Sequence, residues 1–363
     1  MSTENLKAQK TLMVMAGGTG GHVYPAMAVA DYLVQQGWKI VWLCTENGME
    51  NRLIENKGYQ KAMITMQGVR GKGLKGWLML PFRLLNAFSQ AHFAIKQYQP
   101  NVVLGMGGFA AFPGGVMARV LGKPLVIHEQ NSVAGLTNKV LALFATKTLA
   151  AFPSAFKNKA NVSLVGNPVR ADIAAIEAPQ VRFEARQGAL RLLVVGGSLG
   201  AQALNDTIPK ALALLAGLQR PIVVHQAGEK HLASLQKNYQ LANVEGDAKA
   251  FIADMASMYA WADIVICRAG ALTVAELSAA GVASVLVPFP HAVDDHQTHN
   301  AHYLSAAGAA TLIAQTDFTV ARVADLLQQM TREQCLAMAM KARALGLPTA
   351  TKQVADICKE LAQ

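Results

Sequence analysis

Thr11-Leu-Met-Val-Met-Ala16 runs straight into Gly17-Gly18-Thr19-Gly20-Gly21-His22, and Leu190-Arg-Leu-Leu-Val-Val195 runs in the same way into Gly196-Gly197-Ser198-Leu199-Gly200. Each is a short apolar run, readable as a buried parallel strand, that ends in glycines and passes into a helical pattern. Glycine lets the backbone turn sharply and approach a ligand closely, and the helix start behind it offers unpaired N–H groups to an anion. Two such openings in one chain predict two similar α/β domains with a cleft between them.

The flanking segments extend the pattern. Ile40-Val-Trp-Leu-Cys44, Val102-Val-Leu104, Leu125-Val-Ile-His128 and Val162-Ser-Leu-Val165 are short and apolar, with longer helical stretches between several of them. The second half repeats this with Ile222-Val-Val-His225, Ile264-Val-Ile-Cys267, Ser284-Val-Leu-Val287 and Ala310-Thr-Leu-Ile313. Such alternation predicts βαβ units and parallel sheets, with ligands outside the carboxyl ends of the strands. The halves should join where Gly166-Asn167-Pro168 breaks regular structure, giving a first domain over 1–167 and a second over 168–348. The last helical stretch, about 349–363, follows Leu347-Pro348 and is placed back on the first domain.

At 363 residues the chain suits two domains, and although it is 52% hydrophobic no run approaches the roughly 18 apolar residues of a membrane span. Its four cysteines, Cys44, Cys267, Cys335 and Cys358, have no paired spacing, so neither a zinc site nor a disulfide framework is indicated. The start is polar and the apolar run behind it stops at Gly17, too short for a secretory signal, so a cytosolic chain is expected.

Charge is unevenly placed. Residues 1–168 carry 17 Lys and Arg against 6 Asp and Glu, whereas residues 169–363 carry 16 against 17. Between Glu55 and Glu129 there is no acid, and inside that gap lies the stretch from Arg70 to Phe88, with Lys72, Lys75, Trp77, Leu78, Leu80, Phe82, Arg83 and Leu85. Bulky apolar groups beside cations suit an anionic membrane surface, through insertion plus electrostatics. A core helix with a basic rim is the other reading. Nucleic acid is not expected as a partner, because the apolar groups are mostly aliphatic and make a poor base-stacking platform.

Several strand ends carry chemistry. Gly18-Thr-Gly20-Gly21-His22-Val23 lacks the third glycine of a dinucleotide fingerprint, and Gly196-Gly-Ser198-Leu-Gly200 has serine in place of the second. Both loops suit phosphate or sugar better than a full dinucleotide. His22, behind four glycines, should sit exposed and act either as a base that accepts a proton from an attacking hydroxyl or as a ligand-orienting donor. His128-Glu129-Gln130-Asn131 puts four polar side chains at a strand end, facing a ligand or each other, with Asn131 best placed to reach substrate. Glu276, in Arg268-Ala-Gly270-Ala-Leu-Thr273-Val-Ala-Glu276, should lie a turn or two into a helix on the cleft side, where a carboxylate binds vicinal hydroxyls. Asp294-Asp295-His296-Gln297-Thr298-His299-Asn300 reads as an irregular polar loop, better suited to sugar than to metal.

Gly17–His22, Gly105-Met-Gly-Gly-Phe109, His128–Asn131, Gly166-Asn-Pro-Val-Arg170, Gly196-Gly-Ser198, Arg268–Glu276 and Asp295-His-Gln297 occur in the order seen in the MurG family, which the chain resembles over essentially its whole length. The resemblance implies the two-domain GT-B fold, a UDP-GlcNAc donor, and lipid I, the undecaprenyl-pyrophosphoryl-MurNAc-pentapeptide, as acceptor. It implies inversion to a β-1,4 linkage, no cofactor, and peripheral attachment to the cytoplasmic face of the inner membrane. By position, Thr19, Gly20, Gly21 and Asn131 would contact the donor from the first domain. Arg170, Ser198, Ala271, Leu272, Thr273, Val274, Ala275, Glu276 and Gln297 would hold it from the second, with Glu276 on the ribose and the Ile252 backbone on uracil. His22 is the chosen base. The rivals are another UDP-sugar enzyme of this fold (a glycolipid glycosyltransferase or an epimerase), a nicotinamide oxidoreductase, and a non-catalytic membrane module.

Overall fold

The computed structural model of the chain describes residues 9–46, 48–66, 79–156, 161–197, 200–217 and 220–362. They form two compact units, Met1–Val169 with Thr349–Gln363, and Arg170–Pro348.

The first unit is built on seven parallel strands: β1 (Thr11–Ala16), β2 (Lys39–Thr45), β3 (Gln60–Ile64), β4 (Val102–Gly107), β5 (Leu125–Glu129), β6 (Lys147–Ala150) and β7 (Val162–Leu164). Their order across the sheet is β3-β2-β1-β4-β5-β6-β7, with β1 at the point where the order reverses. Alternation along each strand splits the core in two. Leu12, Val14, Trp42 and Leu104 face one layer, with Val23, Ala26, Val29 and Leu33 of the helix Gly20–Val34. Met13, Met15, Leu43, Val103 and Ile127 face the other, with Ala94 and Ile95 of the helix Leu80–Tyr98 and Ala111 and Ala118 of the helix Ala111–Val120. The helix Ala350–Leu361 belongs to this unit. Its Val354, Ala355 and Cys358 join the first layer, Lys10 Nζ donates to Ala362 O at 2.6 Å, and Thr351 Oγ1 donates to Val169 O at 2.9 Å.

The helix Leu80–Tyr98 turns mostly alanines inward and three large apolar side chains outward. Ala87, Ala91, Ala94 and Ile95 are buried, whereas Phe82, Leu85 and Phe93 are 68, 66 and 67% exposed. At 100° per residue those three lie in one stripe.

The second unit carries β8 (Arg191–Val195), β9 (Ile222–Gln226), β10 (Asp247–Lys249), β11 (Ile264–Cys267), β12 (Ala283–Leu286) and β13 (Ala310–Leu312), all parallel, in the order β10-β9-β8-β11-β12-β13. Here too the first strand of the unit, β8, stands where the order reverses, and ligands of open α/β sheets bind at such points. The fully buried Asp263 ahead of β11 is paired with Arg186 and Arg332 and accepts from Arg191 N, so its charge is compensated.

Candidate active site

In the first unit the chain leaves β1 at Gly17, turns through Gly18 with φ +86°, and enters the helix Gly20–Val34 with Thr19 at its cap. This turn lies against the end of β4, where Gly107 and Gly108 have φ of +102° and +91°. A Cβ on Gly108 would stand 2.5 Å from Gly17 O, and one on Gly107 3.2 Å from His22 Nε2, so close approach requires glycine at both. Gly17 N–H donates to Gly107 O at 3.3 Å.

His22 is half-buried rather than exposed, because its ring folds back over its own loop: Nδ1 lies 3.0 Å from Gly17 O. A carbonyl only accepts, so Nδ1 carries the proton and, in the neutral ring, Nε2 keeps its lone pair. Such a nitrogen can accept a proton from a hydroxyl.

Beneath the loop is a carboxylate that the sequence reading missed. Glu50, fully buried in the short helix Met49–Leu53, accepts at Oε1 from Thr45 N at 2.9 Å and Thr45 Oγ1 at 2.8 Å. Its Oε2 accepts from Gly18 N at 3.4 Å. A Cβ on Gly48 would lie 2.0 Å from Oε1, and one on Gly17 2.9 Å from the carboxyl carbon, so both glycines make room for it. The sequence carries little signal for it: Glu50 is one acid in the short, mostly polar run Met49-Glu-Asn-Arg-Leu53 behind Gly48.

Of the two alternatives for His128–Asn131, the structure shows the residues facing each other. His128 Nε2 donates to Gly166 O at 2.9 Å and Nδ1 accepts from Gln130 Nε2 at 3.0 Å, while burial pushes the imidazole down to about 4. Glu129 accepts from Asn131 N, Asn131 Nδ2, Gly135 N and Asn138 Nδ2 at 2.9, 3.2, 3.1 and 2.8 Å. Asn131 is half-buried, its amide oriented by that carboxylate.

In the second unit the loop after β8 turns at Gly197 and Gly200, with φ of +82° and +79°; Ser198 lies outside the described residues. Gln226, at the end of β9, donates from Nε2 to Gly197 O at 3.1 Å and accepts at Oε1 from Ile252 N at 2.9 Å. The Ile252 N–H is therefore engaged, which leaves its carbonyl as the group to offer a base. The helix Ala271–Ala280 starts behind Gly270; Ala271 and Val274 are buried, and Leu272, Thr273 and Ala275 half-buried.

Glu276 is only 8% exposed, less open than the sequence predicts. Its Oε2 accepts from Tyr259 Oη at 3.0 Å. Burial pushes its carboxyl up to about 7, against the pull of the Arg170 guanidinium. Arg170 itself caps the helix Ala171–Ala174, 3.9 Å from Asp172 Oδ1. Gln297 is half-buried and accepts from Phe289 N at 2.9 Å, and Arg268 donates to Val287 O and Pro288 O, both at 3.1 Å. Together they shape the turn after β12.

The segment predicted as an irregular loop is helical from His296 to Ser305, after Asp294 and Asp295 with φ of +53° and +50°. Only Asn300, Ala301 and Leu304 of that helix are buried, so it lacks the apolar period that signals a helix in sequence. Among the described residues no group of three or more His, Cys, Asp or Glu could hold a metal ion.

The model of the glycosyltransferase family 28 N-terminal domain matches residues 12–150, and that of the family 28 C-terminal domain matches residues 191–361. The chain belongs to glycosyltransferase family 28. It is 56% identical over 354 residues to the UDP-N-acetylglucosamine--N-acetylmuramyl-(pentapeptide) pyrophosphoryl-undecaprenol N-acetylglucosamine transferase of Dechloromonas aromatica, covering 98% of this chain and 99% of that one. It is 56% identical over 353 residues to the transferase of the same name in Aromatoleum aromaticum, covering 97% and 98%. The crystal structure of Acinetobacter baumannii MurG is similar at a TM-score of 0.85 and 43% identity, covering 97% of this chain and 99% of that chain. These relatives place the chain in the MurG family, with the GT-B fold.

The basic stretch of this family 28 enzyme is described in part. Lys72, Lys75, Trp77 and Leu78 lie outside the described residues; Leu80 and Arg83 are half-buried, and Phe82 is exposed. Phe93, on the same outward stripe, was not singled out from sequence, because it lies beyond the cluster of cations. Among the described residues no helix is long and apolar enough to cross a membrane.

Proposed function

We propose that this enzyme transfers GlcNAc from UDP-GlcNAc to the MurNAc 4-hydroxyl of lipid I, giving lipid II with inversion at the anomeric carbon. The observation that carries this reading is the near-complete coverage, at 56% identity, of transferases whose names state that donor and acceptor. In the reaction His22 Nε2 takes the proton of the acceptor hydroxyl. The hydroxyl oxygen forms its bond to the anomeric carbon while the bond to the diphosphate oxygen breaks, and UDP leaves with the electron pair. Donors of the Gly196–Gly200 loop, Ser198 among them, and of the helix start behind it stabilise the charge that grows on UDP. Glu276 receives the ribose hydroxyls, and the Ile252 carbonyl faces uracil. Arg170, Ala271–Ala275 and Gln297 complete the donor residues on the second unit, and Thr19, Gly20, Gly21 and Asn131 are those that the family resemblance assigns to the donor on the first.

The outward stripe of Phe82, Leu85 and Phe93, together with the cations that the sequence carries at Lys72, Lys75 and Arg83, supports peripheral attachment to an anionic cytoplasmic membrane face. Replacing the three cations by glutamate should release the protein from anionic vesicles in a sedimentation assay, and undiminished binding would place the attachment elsewhere. Incubation with labelled UDP-GlcNAc and a lipid I analogue tests the reaction itself: labelled disaccharide-lipid is expected. Release of free GlcNAc alone, or of an epimerised nucleotide sugar, would overturn the assignment.

A further inference from the structure

We infer that Glu50 is a positioning residue for His22, acting through the peptide unit that joins Gly17 to Gly18. The carbonyl of Gly17 and the N–H of Gly18 belong to one planar trans peptide and point in opposite directions. On one side the N–H donates to Glu50 Oε2 at 3.4 Å; on the other the carbonyl accepts from His22 Nδ1 at 3.0 Å. Carboxylate, peptide and imidazole therefore stand in a line.

Hydrogen bonds in such a chain polarise one another, more so where water is excluded, and Glu50 is fully buried. A carboxylate drawing on the N–H enriches the Gly17 oxygen, which strengthens its hold on the Nδ1 proton. That hold fixes the tautomer whose Nε2 is bare and fixes the angle of the ring. The arrangement is built rather than incidental. Both backbone partners of Glu50 are obligate donors, and Thr45 grips the other carboxylate oxygen twice. Gly17 and Gly48 each leave space that a side chain would close. A plain brace for the turn from Thr45 to Gly48 would need no contact with Gly18.

The catalytic consequence rests on His22 being the base; the tautomer does not. Full-length protein labelled with 15N-histidine is therefore examined at pH ~8.5, above the ordinary imidazole range, with His22→Ala identifying the His22 signals among nine histidines. The parent should show the proton on Nδ1. In Glu50→Gln the Nε2–H form should gain population, and kcat should fall about 10–100-fold with the donor KM within about twofold. Thr45→Val, which removes one of the two hydrogen bonds on Oε1 while keeping the shape and the backbone N–H, should move both readouts the same way by less, and it carries the test if Glu50→Gln does not fold. An unchanged His22 tautomer in a folded variant overturns the relay whatever happens to kcat. A shifted tautomer with unchanged kcat upholds the relay and removes His22 as the base.

Discussion

The two glycine loops open alike in sequence and are held from beneath in opposite ways. After β1 the loop is pinned by an N–H: the buried Glu50 accepts from Gly18, and the adjoining carbonyl engages His22. After β8 it is pinned by a carbonyl: the neutral amide of Gln226 donates to Gly197 O and accepts from Ile252 N. A carboxylate under a loop repels a diphosphate and favours a proton acceptor, whereas a neutral amide leaves the loop open to an anion. On the function proposed above, the same strand–glycine–helix unit would serve a base in one place and a phosphate in the other.

The largest expected effect tests the first loop. His22→Ala should lower kcat by about 10²–10⁴ while leaving UDP affinity nearly unchanged. A variant that keeps kcat and only raises the donor KM would make His22 an orienting group and dissolve the contrast. The second loop is tested by giving it the first one's charge. Gln226→Glu should weaken UDP binding by about 1.5–3 kcal/mol, the range for a hydrogen bond to a charged group, measured by calorimetry on protein of parental circular dichroism. Parental affinity would show that what lies beneath the loop does not select the ligand.

The smallest effect is in pH. Burial holds the Glu276 carboxyl near 7 instead of near 4.5, with Arg170 and the Tyr259 hydroxyl pulling it down and Asp172 pushing it up. Ribose hydroxyls favour the ionised form, so UDP affinity should rise between pH 6 and 8, by about tenfold at most. Glu276→Gln should flatten the profile; a slope that survives in this variant belongs to another group. Stability runs the other way. The folded-state value is the raised one, so this residue's contribution is full below about 4.5 and is lost as pH rises through about 7. Glu276→Gln should therefore gain on the parent in Tm at pH 8 relative to pH 5.

The sheets were largely legible because their central strands are continuous apolar runs, buried on both faces. Three strands were not. β3 and β10 stand at sheet edges and half face solvent, and β6 is four residues beginning with an exposed lysine, so none makes an apolar run. At the site the order of the glycine turns was readable and their undersides were not. Glu50 reaches Gly18 across 32 positions and Gln226 reaches Gly197 across 29, contacts that only the stacking of neighbouring strands creates. The same holds for Glu276: its helix could be read, but Tyr259, which closes over it, comes from the helix Met255–Trp261.

The helix Ala350–Leu361 has a consequence for biosynthesis. It covers an apolar face of the helix Gly20–Val34, yet it is translated only after the whole of Arg170–Pro348. At about 5–20 residues per second, the ribosome needs roughly 10–40 s to make the intervening unit. During that interval the helix Gly20–Val34 has no cover from this helix, and the unit begun first cannot be completed until the second has been made. Vectorial folding, one domain after the other, is closed to this chain.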